Sequence, residues 1–164
     1  MPDYSLNQFL ASAGTPLLDI EICDVTLRDG EQMPGVVFRA DEKLDIALRL
    51  DEIGVEVIEA GFPVVSPAEM NAVREVCNLG LDARISALSR SVKKDVDAAL
   101  QCGVDMISVF IATSDLHLKH KLHMSCPEAI SCALQTVEYA KDHGLIVELS
   151  GEDASRADLD FLKA

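Results

Sequence analysis

Short β-branched runs alternate with helix-length stretches along most of the chain, and this alternation restricts the fold more than any other feature. Each run is too short for a typical helix and is rich in valine and isoleucine. The runs are 20–27, 55–60, 83–88, 104–112 and 145–149. The helical stretches between and after them are 40–53, 66–79, 91–102 and 126–142, with a fifth predicted to begin near Ser155. The sequence therefore predicts a β-α unit that repeats along the chain.

The residues at the ends of the helical stretches support this assignment. Glycines stand where left-handed C-terminal caps occur, and Gly103 is one example. The segments 66–69 (Ser-Pro-Ala-Glu) and 125–128 (Ser-Cys-Pro-Glu) have the spacing of a capping box, with proline in the first turn. Nearly continuous apolar strands that alternate with helices indicate parallel pairing with right-handed crossovers. An open doubly wound sheet and part of a (β/α) barrel both satisfy this pattern.

A charged motif follows the first predicted strand, which runs from Ile20 to Leu27. The nine residues 24–32 read Asp-Val-Thr-Leu-Arg-Asp-Gly-Glu-Gln, so Arg28 and Asp29 come directly after the strand and Gly30 is expected to turn the backbone. An arginine and a carboxylate are costly to bury at a strand end unless something charged or chelating satisfies them. The motif therefore indicates a functional site. A surface Arg-Asp ion pair that closes an ordinary loop is the alternative.

The motif 24–32 resembles the signature of the pyruvate-carboxylate-transferase-like TIM-barrel enzymes. That family includes 2-isopropylmalate, homocitrate and citramalate synthases and the HMG-CoA lyases. The resemblance extends over about residues 20–161, and the segment 109–117 is similar to the synthase branch rather than to the lyases. It implies a (β/α)8 TIM barrel of which this chain holds about the first five βα units. Residues 1–19 are then an N-terminal leader, and 20–164 are the incomplete N-terminal part of the catalytic domain, since a closed barrel needs roughly 200–250 residues.

The resemblance also implies a reaction. The family's synthases carry out a Claisen-type condensation of acetyl-CoA with a 2-oxo acid held by a divalent metal, Mg, Mn or Zn, and then hydrolyse the thioester. The sequence does not choose between 2-oxoisovalerate, pyruvate and 2-oxoglutarate, because a few apolar exchanges alter pocket selectivity by only ~1–3 kcal/mol. Two alternatives remain, which are a carbon-carbon lyase of the HMG-CoA lyase type and a non-catalytic half-barrel assembly module.

The resemblance assigns roles to residues at the strand ends, which meet at one rim of a parallel sheet. Asp29 is expected to be a hard oxygen ligand of the metal, with a turn-capping carboxylate as the alternative. Arg28 is expected to stabilise negative charge on a substrate oxygen, or else to form an ion pair with Glu59 or another acidic residue at the rim. Glu59 lies in the second-strand motif 58–63, and is expected either to contact the substrate or to be the structural partner of Arg28.

Further candidates follow the fourth and fifth strands. Ser150 and Glu152 are expected to border the 2-oxo acid, with Glu152 as a specificity or acid-base group, although a solvated carboxylate at a helix N-terminus is the alternative. His117 is a candidate for contact with the substrate or the thioester region. Leu88 and Phe110 are expected to face either the core or the pocket that sizes the substrate side chain, and core packing is favoured for each.

The overall composition restricts the partners. A formal net charge of −14 and a pI near 4.5 argue against binding to nucleic acid or to an anionic membrane surface, so the partners are expected to be the small-molecule 2-oxo acid and acetyl-CoA. No apolar run approaches the ~18 residues of a membrane span. Five cysteines without a Cys-x-x-Cys pair indicate reduced thiols and a cytoplasmic location.

Two further expectations concern the isolated chain. A half-barrel has two open parallel edges, so self-association into a homo-oligomer, or a partner that covers those edges, is expected. The family completes its metal site with a His-x-His pair from the seventh strand, which the sequence does not contain. The chain alone is therefore expected to be inactive.

Overall fold

The computed structural model describes residues 20–163, which form five parallel strands flanked by helices. The strands are β1 (Cys23–Asp24), β2 (Val57–Glu59), β3 (Arg84–Arg90), β4 (Met106–Ala112) and β5 (Ile146–Glu152). The helices are α1 (Ala40–Glu52), α2 (Pro67–Cys77), α3 (Lys93–Cys102), α4 (Asp115–His117), α5 (Cys126–Asp142) and α6 (Leu159–Leu162). A π-helical segment, Leu118–Leu122, continues from α4. The leader predicted for residues 1–19 lies outside the described residues.

Every strand pairs in parallel with the next strand along the chain, in the order β1-β2-β3-β4-β5. The sheet curls into a half-barrel, so the fold class predicted from the sequence is confirmed. Side chains alternate between the two faces of a strand. Ile58, Ala87 and Ile107 belong to the core against the helices and are fully buried. The residues that follow them, Glu59, Leu88 and Ser108, face the concave side of the sheet.

The first strand is shorter than predicted, and the turn that ends it comes before Gly30. The sheet ladder includes only Cys23 and Asp24, and the backbone N–H groups of Arg28, Asp29 and Gly30 all donate to the carbonyl of Val25. The Asp24 carboxylate accepts from the N–H of Thr26 at 2.9 Å and from its hydroxyl at 3.2 Å. A side chain that binds the backbone two residues ahead favours a turn over a ladder.

The fifth predicted helix begins later than Ser155. Residues Ala154–Arg156 form a 3₁₀ turn, and α6 begins at Leu159. The Asp158 carboxylate accepts from the N–H groups of Asp160 and Phe161 at 2.9 and 3.0 Å, which is the N-cap arrangement. The cap at Asp158 therefore sets the start of this helix.

The predicted caps are confirmed in most details. Gly103 ends α3 in the left-handed region, at φ 81°, where a glycine pays no steric cost. Ser125 and Glu128 form the complete capping box of α5. At α2 only the Ser66 half is present, since the Glu69 side chain bonds to Lys43 and to the N–H of Phe62 instead. Within residues 20–163, no helix combines the length and apolarity that crossing a bilayer requires.

Candidate active site

An open cavity of about 420 Å³ lies in the concave face of the half-barrel, towards the carboxyl ends of the strands. It brings together four of the residues predicted from the sequence, which are Arg28, Glu59, Ser150 and Glu152. The remaining lining residues are Cys23, Val25, Gln32, Leu88, Ser108, Phe110, Glu148 and Gly151. The carboxyl-end rim of a parallel β/α sheet is where such folds place their chemistry.

Arg28 bridges two carboxylates at this cavity. Its Nε donates to Glu59 Oε2 at 2.5 Å, and its Nη1 donates to Asp29 Oδ1 at 2.8 Å. The ion pair expected as one possibility for Arg28 and Glu59 is therefore present. The side chain of Glu59 is 3% exposed and that of Arg28 is 20% exposed, so this pair is held away from most of the solvent. The two carboxylates fix the orientation of the Arg28 guanidinium, and recognition of an anion or of a developing oxyanion requires such a fixed orientation.

Burial raises the pKa of the Glu59 carboxyl above its ordinary value of 4.5. The hydrogen bond and the charge of Arg28 oppose this rise, while the charges of Glu148 and Asp29 add to it. Burial and then the charges of Glu59 and Glu148 also raise the pKa of the Cys23 thiol. Arg28 is the one cationic side chain among the described residues that line the cavity. An anionic substrate would therefore depend on Arg28 or on a bound cation.

Asp29 has the donor chemistry of a ligand for Mg or Mn, but it does not form a complete site. Its side chain is 58% exposed, and Oδ1 already accepts from Arg28. Among residues 20–163, no group of three or more His, Cys, Asp or Glu side chains is placed to hold a metal. The described residues thus do not form a complete metal site, and the metal role of Asp29 stays a prediction.

Glu152 is less free than the sequence suggested. Both of its carboxylate oxygens accept from Lys121 Nζ, at 2.7 and 2.6 Å, so the loop after β4 closes onto the end of β5. Ser150 lies two residues before Glu152 and therefore on the same face of β5, and its hydroxyl donates to Glu148 Oε1 at 3.3 Å. Both residues face the cavity, and their proposed contacts with a 2-oxo acid stay predictions.

His117 lies beside the fifth-strand loop rather than among the lining residues. Its Nδ1 is 3.8 Å from Asp153 Oδ2, and this buried nitrogen has no hydrogen-bond partner among the described residues. Asp153 also accepts from Arg156 and from the hydroxyl of Ser114. These bonds hold the pKa of Asp153 below its ordinary range, Arg156 contributing most. A role of His117 in substrate binding stays a prediction.

The cavity contains residues that sequence analysis missed or placed elsewhere. The core position favoured for Leu88 and Phe110 is wrong and the pocket alternative is present, because both line the cavity, where Phe110 meets Phe62 edge-on with centroids 6.5 Å apart. Glu148 was not predicted, although it follows from the alternation of a strand, since it shares a face with Ser150 and Glu152.

A parallel half-barrel with charged groups collected at the carboxyl ends of its strands defines part of a (β/α) barrel. Residues 19–164 match the HMGL-like family, and the chain belongs to that family. The family predicted from the motif 24–32 is therefore confirmed.

Two relatives with high sequence identity to this chain are synthases. The chain is similar to a homocitrate synthase AksA of Methanosarcina acetivorans, with 57% identity over 98% of this chain and 40% of the relative. It is similar to a 2-isopropylmalate synthase of Methanocaldococcus jannaschii, with 55% identity over 87% of this chain and 28% of the relative. The chain thus spans about two fifths or less of the length of these relatives.

Solved structures share the fold. An HMG-CoA lyase of Brucella melitensis matches with a TM-score of 0.64 and 27% identity, over 79% of this chain and 47% of the lyase. The lyase of Bacillus subtilis matches with a TM-score of 0.65 and 23% identity, over 79% of this chain and 45% of that protein. Both matches support the barrel fold seen here.

Proposed function

We propose that this polypeptide carries the 2-oxo acid half of an acyltransferase site, at which acetyl-CoA condenses with a 2-oxo acid. The observation that carries the proposal is the bridge from Arg28 to Glu59 and Asp29 at the mouth of the cavity. The similarity to homocitrate and 2-isopropylmalate synthases supports it, since those names describe products of this condensation.

The roles follow from the contacts. Glu59 orients Arg28, whose guanidinium stabilises the negative charge that develops on the ketone oxygen. Asp29 would hold a divalent cation, which when bound polarises the ketone of the 2-oxo acid. Ser150 and Glu152 border the oxo acid. Both oxygens of Glu152 accept from Lys121, so this ion pair holds the Glu152 side chain in place beside the proposed oxo acid.

The proposed reaction forms one carbon-carbon bond. The methyl group of acetyl-CoA loses a proton, and the resulting enolate carbon bonds to the ketone carbon of the 2-oxo acid. The ketone oxygen becomes an alkoxide and takes up a proton. Water then cleaves the thioester, which releases the CoA thiol and leaves a new carboxylate. The relatives' names make 2-oxoglutarate and 2-oxoisovalerate the first acceptors to test, with pyruvate as the third.

The test is a hybrid enzyme in which this chain replaces the matching 160 residues of the Methanosarcina homocitrate synthase. We expect release of CoA thiol that depends on a 2-oxo acid. Arg28→Lys should lower kcat/KM by about 10²–10³-fold, because lysine cannot reproduce a fixed guanidinium between two carboxylates. Arg49→Lys is the matched control, since Arg49 is exposed and pairs only with Glu52 among the described residues. A folded Arg28→Lys hybrid with unchanged kcat/KM would contradict the proposal.

The fold match to HMG-CoA lyases favours a carbon-carbon lyase as the second candidate. The same hybrid should release no acetyl-CoA from 3-hydroxy-3-methylglutaryl-CoA. Release of acetyl-CoA that disappears in Arg28→Lys would support the lyase over the synthase.

A further inference from the structure

Lys43 is a buried cation on α1 that the proposed reaction does not use. Its side chain is 2% exposed, and its Nζ lies 2.7 Å from Glu31 Oε2 and 2.8 Å from Glu69 Oε2. Removing an ammonium from water carries a large desolvation penalty, and well-packed apolar side chains often replace such buried ion clusters without loss of stability. The presence of Lys43 therefore needs an explanation other than core packing.

The second oxygen of each carboxylate binds the backbone of a different loop. Glu31 Oε1 accepts from the N–H of Phe38 at 2.9 Å, and Glu69 Oε1 accepts from the N–H of Phe62 at 3.1 Å. The chain leaves room for the second contact at Gly61, where an added Cβ would lie 2.0 Å from Glu69 Oε1. Lys43 thus connects the β1–α1 loop with the β2–α2 loop through two carboxylates.

These two loops are the ones that carry the Arg28 bridge. Glu31 lies two residues after Asp29 and next to Gln32, which lines the cavity. Phe62 lies three residues after Glu59. The hydrogen bond from Arg28 to Glu59 joins the β1–α1 loop to the last residue of β2, directly before the β2–α2 loop, so its length depends on how far apart the two loops are held. Lys43 is a second connection between them, on the buried side.

We propose that Lys43 is a positioning residue that sets the distance between the Arg28 loop and Glu59, and through it the orientation of the guanidinium. The proposal rests on the proposed function only in treating Arg28 and Glu59 as parts of the substrate site. Lys43 itself does not touch the cavity.

The test uses the ¹⁵Nε–¹H NMR signals of two arginines in the full 164-residue chain. Arg28 Nε donates to Glu59, and Arg90 Nε donates to Asp95 at 2.7 Å at the end of β3, without any contact with Lys43. In Lys43→Met we expect hydrogen exchange at Arg28 Nε to accelerate about tenfold or more, while exchange at Arg90 Nε stays within about twofold. Lys43→Arg should restore slow exchange at Arg28. Lys94→Met, at an exposed lysine, is the matched control.

Lys43→Met leaves two carboxylates without their cation and can unfold the chain. The triple variant Lys43→Met, Glu31→Gln, Glu69→Gln removes all three charges, and it should still show fast exchange at Arg28 alone. Equal acceleration at Arg28 and Arg90 would show a general loss of stability and overturn the proposal, as would unchanged exchange at Arg28. The two experiments can fail independently of each other. If the proposed condensation is wrong, the hybrid enzyme will release no CoA thiol, but the NMR response to Lys43→Met will still be observed.

Discussion

At the scale of single residues, Glu59 combines deep burial with a direct hydrogen bond from Arg28, and these influences act on its pKa in opposite directions. Burial prevails, so the carboxyl titrates above its ordinary value of 4.5. Between the ordinary and the raised pKa, the folded chain holds a proton at Glu59 that the unfolded chain has released. The free energy of unfolding should therefore decrease as the pH rises through this interval.

The first prediction is that Glu59→Gln weakens this decrease, because glutamine has no proton to release. The free energy of unfolding, measured by urea denaturation at a series of pH values from 4.5 upward, should show a shallower slope in Glu59→Gln than in the wild type. Glu138→Gln, at an exposed position on α5, is the control and should keep the wild-type slope. An identical slope in Glu59→Gln and wild type would contradict the raised pKa.

The second prediction concerns the effect of a neighbouring charge on the pKa of Glu59. The charge of Glu148 helps to raise the pKa of Glu59, so Glu148→Gln should move the titration midpoint of Glu59 to lower pH. The ¹³C chemical shift of the Glu59 carboxyl follows this midpoint directly. A midpoint that stays in place would show that Glu148 is too far away, or too well solvated, to influence the cavity.

The sequence predicted the residues of the site better than their contacts. Four predicted residues lie within recognisable strand-end motifs and meet in one cavity, and they are Arg28, Glu59, Ser150 and Glu152. Lys43 was missed because it follows Asp41 and Glu42 in a helix, which is also the pattern of a solvated helical face. The pairing of Lys121 with Glu152 joins positions 31 residues apart, and nothing local predicts it.

At the scale of elements, the starts of the helices depend on single side chains. Ser125 begins α5 with a complete capping box. Its side chain accepts from the backbone N–H of Glu128, and the Glu128 carboxylate accepts from the backbone N–H and the hydroxyl of Ser125. Two backbone N–H groups are satisfied in this way.

We predict that Ser125→Ala lowers the free energy of unfolding by about 1 kcal/mol, because the first turn of α5 loses its side-chain acceptor. Ser131→Ala is the matched control on the same helix, since Ser131 is exposed and bonds only to the side chain of Gln135 among the described residues. Its effect should stay within about 0.5 kcal/mol. A loss of similar size in both variants would mean that the cap does not determine the helix start.

Periodicity predicted the long elements well, and side-chain competition explains the exceptions. Strands β3 and β4 and helix α5 lie close to their predicted bounds, because valine, isoleucine and alanine recur on their buried faces. The apolar run 20–27 looked like a full strand, but the Asp24 side chain binds Thr26 and starts a turn. A hydropathy pattern contains no information about this side-chain hydrogen bond, so it predicts a longer first strand than the structure has.

At the scale of the whole molecule, the sheet formed by residues 20–163 ends at β1 and β5, and neither strand has a further partner among these residues. Apolar side chains are exposed on β5, where Leu149 is 51% and Ile146 is 46% exposed. Unpaired parallel edges with exposed apolar groups favour association, whereas the net charge of −14 opposes it.

We predict that the 164-residue chain self-associates and does so more strongly at higher salt, because screening reduces the repulsion between acidic copies. Sedimentation velocity over a concentration series measures this. Leu149→Lys should shift the chain towards monomer, and Val65→Lys, at an exposed position outside both edge strands, should not. A monomer at high concentration and high salt would contradict the prediction.

We also predict that the purified chain alone shows no release of CoA thiol from acetyl-CoA in the presence of a 2-oxo acid and Mg²⁺ or Mn²⁺. Residues 20–163 contain no group of three or more His, Cys, Asp or Glu side chains placed to hold a metal, and Asp29 by itself should bind a divalent cation weakly. Turnover by the isolated chain, abolished by Asp29→Asn, would refute this expectation.

The sequential order of the strands has a consequence for how the polypeptide is made. Each strand pairs with the one synthesised just before it, so no strand has to wait for a later segment to be inserted between itself and its neighbour. A chain leaving the ribosome can therefore add one strand-helix pair at a time to a growing edge. The strand order thus allows this domain to assemble from its N-terminal end, one strand-helix pair after another.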